Sequence, residues 1–273
     1  MISGPLIAGD ALSSPSSDLV FLDARAGKGA KEGYARQHVR GAIYADLERD
    51  LSAPDNPAIG GRHPLPALSV WCARLGAWGI TPDTPVAIYD ESSGAMAAAR
   101  AWWMLHAIGH RKVAVVDGGL RTLVAAGVST DDRLVRTEPR GAYEASVRTW
   151  PTVGAQTVAR IAHDDSWALL DARAPERFSG EVEPIDPVAG HIPGARNLYW
   201  KSLTDELGRF LPGRDRTEAY QRALANASAD RVVCYCGSGV TACHLLLGLE
   251  AAGVHGARLY VGSWSEWCRN HST

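Results

Sequence analysis

The stretch Cys236-Gly237-Ser238-Gly239-Val240-Thr241 sets a thiol, a hydroxyl and two glycines between an apolar run, RVVCY, and a helical pattern, ACHLLLGLEAAG. A cysteine at a strand end, followed by small residues and a helix N-terminus, has backbone N–H groups directed at its sulfur. Those dipoles favour an anion, and so stabilise a thiolate or a persulfide. Gly237 and Gly239 let the loop curl around the sulfur without Cβ clashes. Cys72, Cys234, Cys243 and Cys268 lack such a setting and read as structural thiols.

Three other chemistries compete for the same turn. GSGVTA matches G-x-G-x-x-A, a dinucleotide fingerprint, but the next strand pattern, ARLYVGS, ends without the acidic residue that would hold a ribose. A phosphate-binding P-loop needs Gly-Lys-Ser/Thr, which is absent. A phosphatase of the C-x5-R kind needs an arginine where this chain has Ala242. The turn is best read as a cradle for sulfur.

The elements that must position this turn occur twice. VFLDARAG at 20–27 returns as ALLDARAP at 168–175, HVRGA at 38–42 as HIPGA at 191–195, and VAIYD at 86–90 as VVCYC at 232–236. Three matches in order at a nearly constant offset indicate two tandem domains. The last match sets Asp90 opposite Cys236. In the first copy VFLDA, PVAIYD and KVAVVDGG read as strands and AMAAARAWWMLHAIG as a well-covered helix; in the second WALLDA, RVVCYC and ARLYVGS are strands and VTACHLLLGLEAAG the equivalent helix. Gly109 and Gly253 stand where a helix end wants glycine. Alternating strands and helices predict an α/β fold, each domain a mainly parallel sheet covered by helices on both sides. The expected boundaries are 1–135 for the first domain, 136–153 for a polar, proline-containing linker and 154–273 for the second.

Composition narrows the partners. The chain has 273 residues, 46% hydrophobic and 21% charged, with a net charge of −2. No basic block marks a nucleic-acid or membrane surface, and no apolar run approaches the roughly 20 residues that span a bilayer. The N-terminus has no basic region before its apolar part, so no signal peptide is expected. Five cysteines without a C-x-x-C fit free thiols in a reducing cytoplasm. Nothing in the spacing calls for a metal or an organic cofactor.

With the two-copy plan, HIPGA, the DGGL turn at 117–120, the YVGSWSEW ending at 260–267 and C-G-S-G-V-T at 236–241, the chain resembles the rhodanese superfamily over nearly its whole length. The loop form is similar to that of 3-mercaptopyruvate sulfurtransferases; thiosulfate-using rhodaneses carry basic residues where Gly237 and Ser238 stand. The resemblance implies an inactive N-terminal copy, with Asp90 in the cysteine's place, and a catalytic C-terminal one. It implies that Cys236 takes sulfur from 3-mercaptopyruvate, releases pyruvate, and passes the sulfur from a persulfide to a thiol such as thioredoxin or to cyanide. A Ser-His-Asp relay is implied for Ser238, His63 and Asp46, drawing on both copies. Substrate binding is implied for Arg177 and the loop residues Gly237, Gly239, Val240 and Thr241. His38 and His191, present in both copies, read as structural.

The sequence departs from the family at one place. A second arginine is expected before GHIPG, where this chain has Ile185 and no cation between 178 and 190. Arg62, beside His63, is the nearest substitute in the sequence. Two alternatives therefore stay open: thiosulfate as the donor, or a persulfide carrier that turns over no small donor.

Overall fold

Runs rich in valine, leucine and isoleucine without polar alternation build the central strands, because a strand covered on both faces has no solvent side to keep polar. The computed structural model describes residues 2–91, 93–95 and 97–271. Met96, at the start of the predicted helix of the first copy, lies outside them. The chain divides into two compact units: Met1–Ser52, Pro66–Trp150 and Glu206–Arg209 form the first, and Ala53–Leu65, Pro151–Asp205 and Phe210–Thr273 the second.

The first unit has strands β1 (Leu6–Ala8), β2 (Val20–Asp23), β3 (His38–Val39), β4 (Ile43–Tyr44), β5 (Val86–Tyr89), β6 (Val113–Asp117) and β7 (Thr130–Asp131). Five of them form a sheet in the order β1-β6-β5-β2-β4, every pairing parallel, while β3 and β7 make a short antiparallel pair. Its helices are α1 (Ala30–Arg36), α2 (Leu68–Ala77), α3 (Ala98–Ala107) and α4 (Gly119–Ala125). Every residue of β5 is buried, as coverage on both faces requires. Phe21, Tyr89, Val116, Leu120 and Leu123 belong to one core cluster.

The second unit repeats this plan with β8 (Thr152–Val153), β9 (Ala168–Asp171), β10 (Arg196–Asn197), β11 (Val232–Tyr235) and β12 (Arg258–Tyr260), ordered β10-β9-β11-β12-β8 and again wholly parallel. Helices α5 (Ala155–Ile161), α6 (Pro175–Ser179), α7 (Gly213–Leu224), α8 (Ala242–Ala251) and α9 (Ser263–Asn270) accompany it. Leu169, Val233, Tyr235, Tyr260 and Trp264 meet in its core.

The sequence repeats prove to be repeated contacts. The Asp-Ala-Arg element is a buried ion pair at the end of a central strand: Arg25 Nη2 lies 2.7 Å from Asp23 Oδ2, and Arg173 Nη2 2.6 Å from Asp171 Oδ2. Each histidine of H-x-x-G-A stacks on an aromatic ring, His38 on Tyr34 at 4.0 Å and His191 on Phe178 at 3.9 Å. Each donates through Nδ1 to that residue's carbonyl at 2.8 Å. Their role is structural. Gly109 and Gly253, just past α3 and α8, have φ of 92° and 78°, the left-handed conformation that ends a helix.

Residues 137–150 are tied along the first unit. Arg140 N–H donates to Gly76 O at 2.8 Å, Tyr143 N–H to Cys72 O at 3.0 Å and Trp150 Nε1–H to Pro66 O at 2.8 Å. More consequential are residues 53–65, which lie in sequence between β4 and β5 of the first sheet but pack with the second unit.

Candidate active site

Cys236 follows β11 directly and is 2% exposed. The N–H of Gly239 donates to its Sγ at 3.2 Å, so the loop does turn its backbone toward the sulfur. That turn requires glycine at 239, where φ is 77° and a Cβ would sit 2.5 Å from Val261 O. The loop is fastened from beneath by the start of α9. Trp264 N–H donates to Cys236 O at 3.0 Å and Ser265 N–H to Gly237 O at 2.9 Å. Ser263 holds φ of 54°, a conformation costly for a residue with a Cβ, and uses its hydroxyl to join two segments. Its Oγ accepts from Cys236 N–H at 3.2 Å and donates to Tyr260 O at 2.9 Å. Val240 and Thr241 immediately precede α8, their carbonyls accepting from Cys243 and His244 N–H at 3.0 and 3.1 Å.

The segment 53–65 arrives beside this loop by backbone contacts. Ala53 N–H donates to Pro64 O at 2.9 Å, closing it on itself. Gly60 N–H donates to Glu266 Oε1 at 2.8 Å, and Asn270 Nδ2–H to Ala58 O at 2.7 Å, stapling it to α9. At Gly61, φ is 79° and a Cβ would collide with Gly262 O. This approach brings His63 to the loop, with Nδ1 2.7 Å from Ser238 Oγ. Both residues therefore belong to one compact unit, and sequence order gives no hint of it. Asp46 lies in the first unit. Its Oδ1 accepts from the N–H groups of Glu48 and Arg49, each at 3.0 Å, forming the turn after β4.

Arg177, on α6, is held by Glu183, with Nη2 2.7 Å from Oε1 and 3.0 Å from Oε2. Ile185 is 54% exposed, but the acids beside it organise the cations nearby. Glu183 also accepts from the N–H groups of Ile185 and Asp186, both at 3.1 Å. Asp186 pairs with Arg62 and, at 2.9 Å, with Arg269. Burial pushes the Asp186 carboxyl up, but the hydrogen bonds and charges of Arg62 and Arg269 outweigh it and hold it below the usual carboxylate range. Trp264 Nε1–H donates to Val188 O at 2.9 Å and Arg173 Nη2–H to Gly190 O at 2.7 Å, fixing the far end of the same loop.

Sequence reading passes over Glu183, Asp186, Arg269 and Ser263. The acids of EVEPID were a usable signal, since carboxylates between prolines near an arginine are natural anchors. For Ser263 the only signal was its repeat partner, Gly119 in DGGL, whose φ is 64°.

The site thus combines a thiol with a loop amide on its sulfur, a hydroxyl–imidazole pair two residues along, and guanidinium groups flanking the loop. Such a set can hold an anion beside a sulfur nucleophile and move a proton at a departing group. The rhodanese-like domain family matches residues 9–126 and 154–270. A probable 3-mercaptopyruvate sulfurtransferase from Pseudomonas aeruginosa is 45% identical over 262 residues, 94% of this chain and 90% of that protein. A putative thiosulfate sulfurtransferase from Mycobacterium tuberculosis is 37% identical over 287 residues, covering 97% and 91%. The solved structure of 3-mercaptopyruvate sulfurtransferase from Leishmania major superposes with a TM-score of 0.84 at 29% identity, over 96% of this chain and 74% of that one.

Proposed function

The chain belongs to the rhodanese family, and from that premise we propose that it transfers sulfur from 3-mercaptopyruvate through a persulfide on Cys236. The observation that carries this reading is the 2.7 Å contact between His63 Nδ1 and Ser238 Oγ, two residues from Cys236. A persulfide carrier has no leaving group to protonate and needs no such pair.

In the reaction, the Cys236 thiolate attacks the substrate's sulfur. The carbon–sulfur bond breaks, its electron pair passes into pyruvate enolate, and the sulfur stays as Cys236–S–SH. The enolate carbon takes a proton from Ser238, resupplied through His63, to give pyruvate. An acceptor thiolate then takes the outer sulfur and returns Cys236 as thiolate. Arg177 binds the substrate carboxylate, a charge-assisted contact of the kind guanidinium forks make. Gly237, Gly239, Val240 and Thr241 wrap the sulfur with backbone. The family resemblance, rather than any geometry within one unit, supports Asp46 as the third member of the relay. The proposed acceptors are a small thiol, a thioredoxin-like dithiol or cyanide. No helix among the described residues is long and apolar enough to cross a membrane, and the five free cysteines support a reducing compartment such as the cytoplasm.

The test is steady-state sulfur transfer to cyanide from 3-mercaptopyruvate and from thiosulfate, with Cys236→Ser as the blank. Mercaptopyruvate is expected to be preferred, and Ser238→Ala to lower its kcat by about 100-fold or more while altering thiosulfate turnover far less. Preference for thiosulfate, or equal losses with both donors, would overturn the proposal.

A further inference from the structure

Gly237, immediately after the nucleophile, has an unusual neighbourhood. A Cβ placed on it would lie 3.1 Å from Arg62 Nη2 and 3.5 Å from both Nη1 and Nη2 of Arg177. Two guanidinium groups, one from residues 53–65 and one from α6, therefore converge on the same side of one backbone atom. Each is tethered from below. Glu183 and Asp186 are 3% and 0% exposed at their side chains, whereas Arg177 and Arg62 keep 19% and 22%. The carboxylates are sunk and the guanidiniums are left partly open above them. Asp186 also pairs with Arg269, 24% exposed, and its Oδ2 lies 3.7 Å from Arg177 Nη2, so one buried carboxylate touches all three arginines.

From this we infer that Arg62 is the second arm of an anion clamp over Gly237, that Asp186 is its positioning residue, and that the clamp selects donors whose anionic head carries one negative charge. The inference rests on the sulfur-transfer reading of the site and names what that site accepts. Among the described residues of this network, Arg62, Arg177 and Arg269 face Glu183 and Asp186; Arg173 enters already matched by Asp171. One positive charge is left over among these ion pairs, the Cys236 sulfur standing outside the count with the Gly239 N–H on it. A carboxylate such as that of 3-mercaptopyruvate neutralises that charge, while the two charges of thiosulfate leave an unmatched negative charge in a partly desolvated site. The guanidinium fork also suits a planar carboxylate, which it grips with two parallel N–H bonds. Glycine at 237 leaves the space for that head group: a Cβ there would press on Arg62 Nη2 at 3.1 Å and fill the gap beside Arg177 at 3.5 Å.

The experiment uses the full chain and two independent readouts. One is KM and kcat for 3-mercaptopyruvate and thiosulfate; the other is the affinity of pyruvate, an α-keto monoanion, for the Cys236→Ser protein by calorimetry. Arg62→Gln is expected to raise the mercaptopyruvate KM and weaken pyruvate binding by about tenfold or more, with a much smaller change in kcat. Arg62→Lys, which keeps the charge without the fork, should recover part of both and serves as the readout if Arg62→Gln fails to fold. Asp186→Asn removes one negative charge and should shift the ratio of kcat/KM values toward thiosulfate. Mercaptopyruvate turnover with KM and pyruvate affinity within about twofold of wild type in Arg62→Gln, or no shift toward thiosulfate in Asp186→Asn, would overturn this inference and leave the sulfur-transfer reading standing. Arg62-dependent pyruvate binding by a protein that never turns over mercaptopyruvate would overturn that reading and leave the clamp.

Discussion

Asp90 and Cys236 stand at the ends of equivalent strands, and the turn beyond each presents backbone amides to whatever occupies that position. In the first unit the Asp90 carboxylate takes them itself: Oδ1 accepts from Gly94 N–H at 2.8 Å, and Oδ2 from Ala97 and Ala98 N–H at 3.3 and 3.2 Å. In the second, the sulfur of Cys236 accepts from Gly239 N–H at 3.2 Å. The backbone support is shared, because Asp90 O accepts from Leu120 N–H at 3.0 Å just as Cys236 O accepts from Trp264 N–H at 3.0 Å. The cradle is thus a general anion site at a helix N-terminus. One copy fills it with its own carboxyl group. The other presents a sulfur that can gain and lose a negative charge.

Exchanging the two residues is the sharpest test of that contrast. Cys236→Asp should abolish sulfur transfer, a loss of at least about 1,000-fold set by removal of the proposed nucleophile. The variant's melting temperature should not fall, since the carboxylate finds amides waiting. Marked destabilisation would mean that the two cradles differ more than their hydrogen bonds suggest.

Asp90→Ala probes the opposite side. It strands buried amides and should cost about 1–3 kcal/mol of stability, seen as a drop of several degrees in thermal melting. Sulfur transfer per folded molecule should hold. A parallel loss of kcat would show that the first unit's turn contributes more than structure.

The smallest effect is expected beneath the loops. Gly119 at φ 64° and Ser263 at φ 54° are counterparts. A Cβ on Gly119 would run into Asp90 O, whereas Ser263 turns its side chain to use. Ser263→Gly relieves backbone strain while losing two hydrogen bonds, and Ser263→Ala loses the bonds and keeps the strain. Ser263→Ala should therefore be the less stable of the two by about 1 kcal/mol, measured by denaturant unfolding. The reverse order would remove strain from the account.

Much of this arrangement could be read from residues alone. The long apolar strands, the two covered helices and the cysteine turn carry their own local signals, and the repeat fixed their equivalence. The edge strands Ile43–Tyr44 and Arg196–Asn197 are too short to show any alternation. Arg62 and Asp186 are far apart in the chain, and their pairing is set by where residues 53–65 pack. Ile185 marks a loop without an arginine, and Arg62, the substitute the sequence offered, reaches Asp186 in that loop only because residues 53–65 pack with the second unit.

The packing of residues 53–65 with the second unit has a consequence for how such a chain can change over generations. A truncation that kept only the second repeat would retain Cys236 and lose both the imidazole on Ser238 and the guanidinium beside Gly237. The duplicate with aspartate in its turn is then no idle relic, because the strip of chain that equips its sibling is spliced into its own middle. On the proposed reading, loss of the first half would take residues 53–65 with it and disable the second.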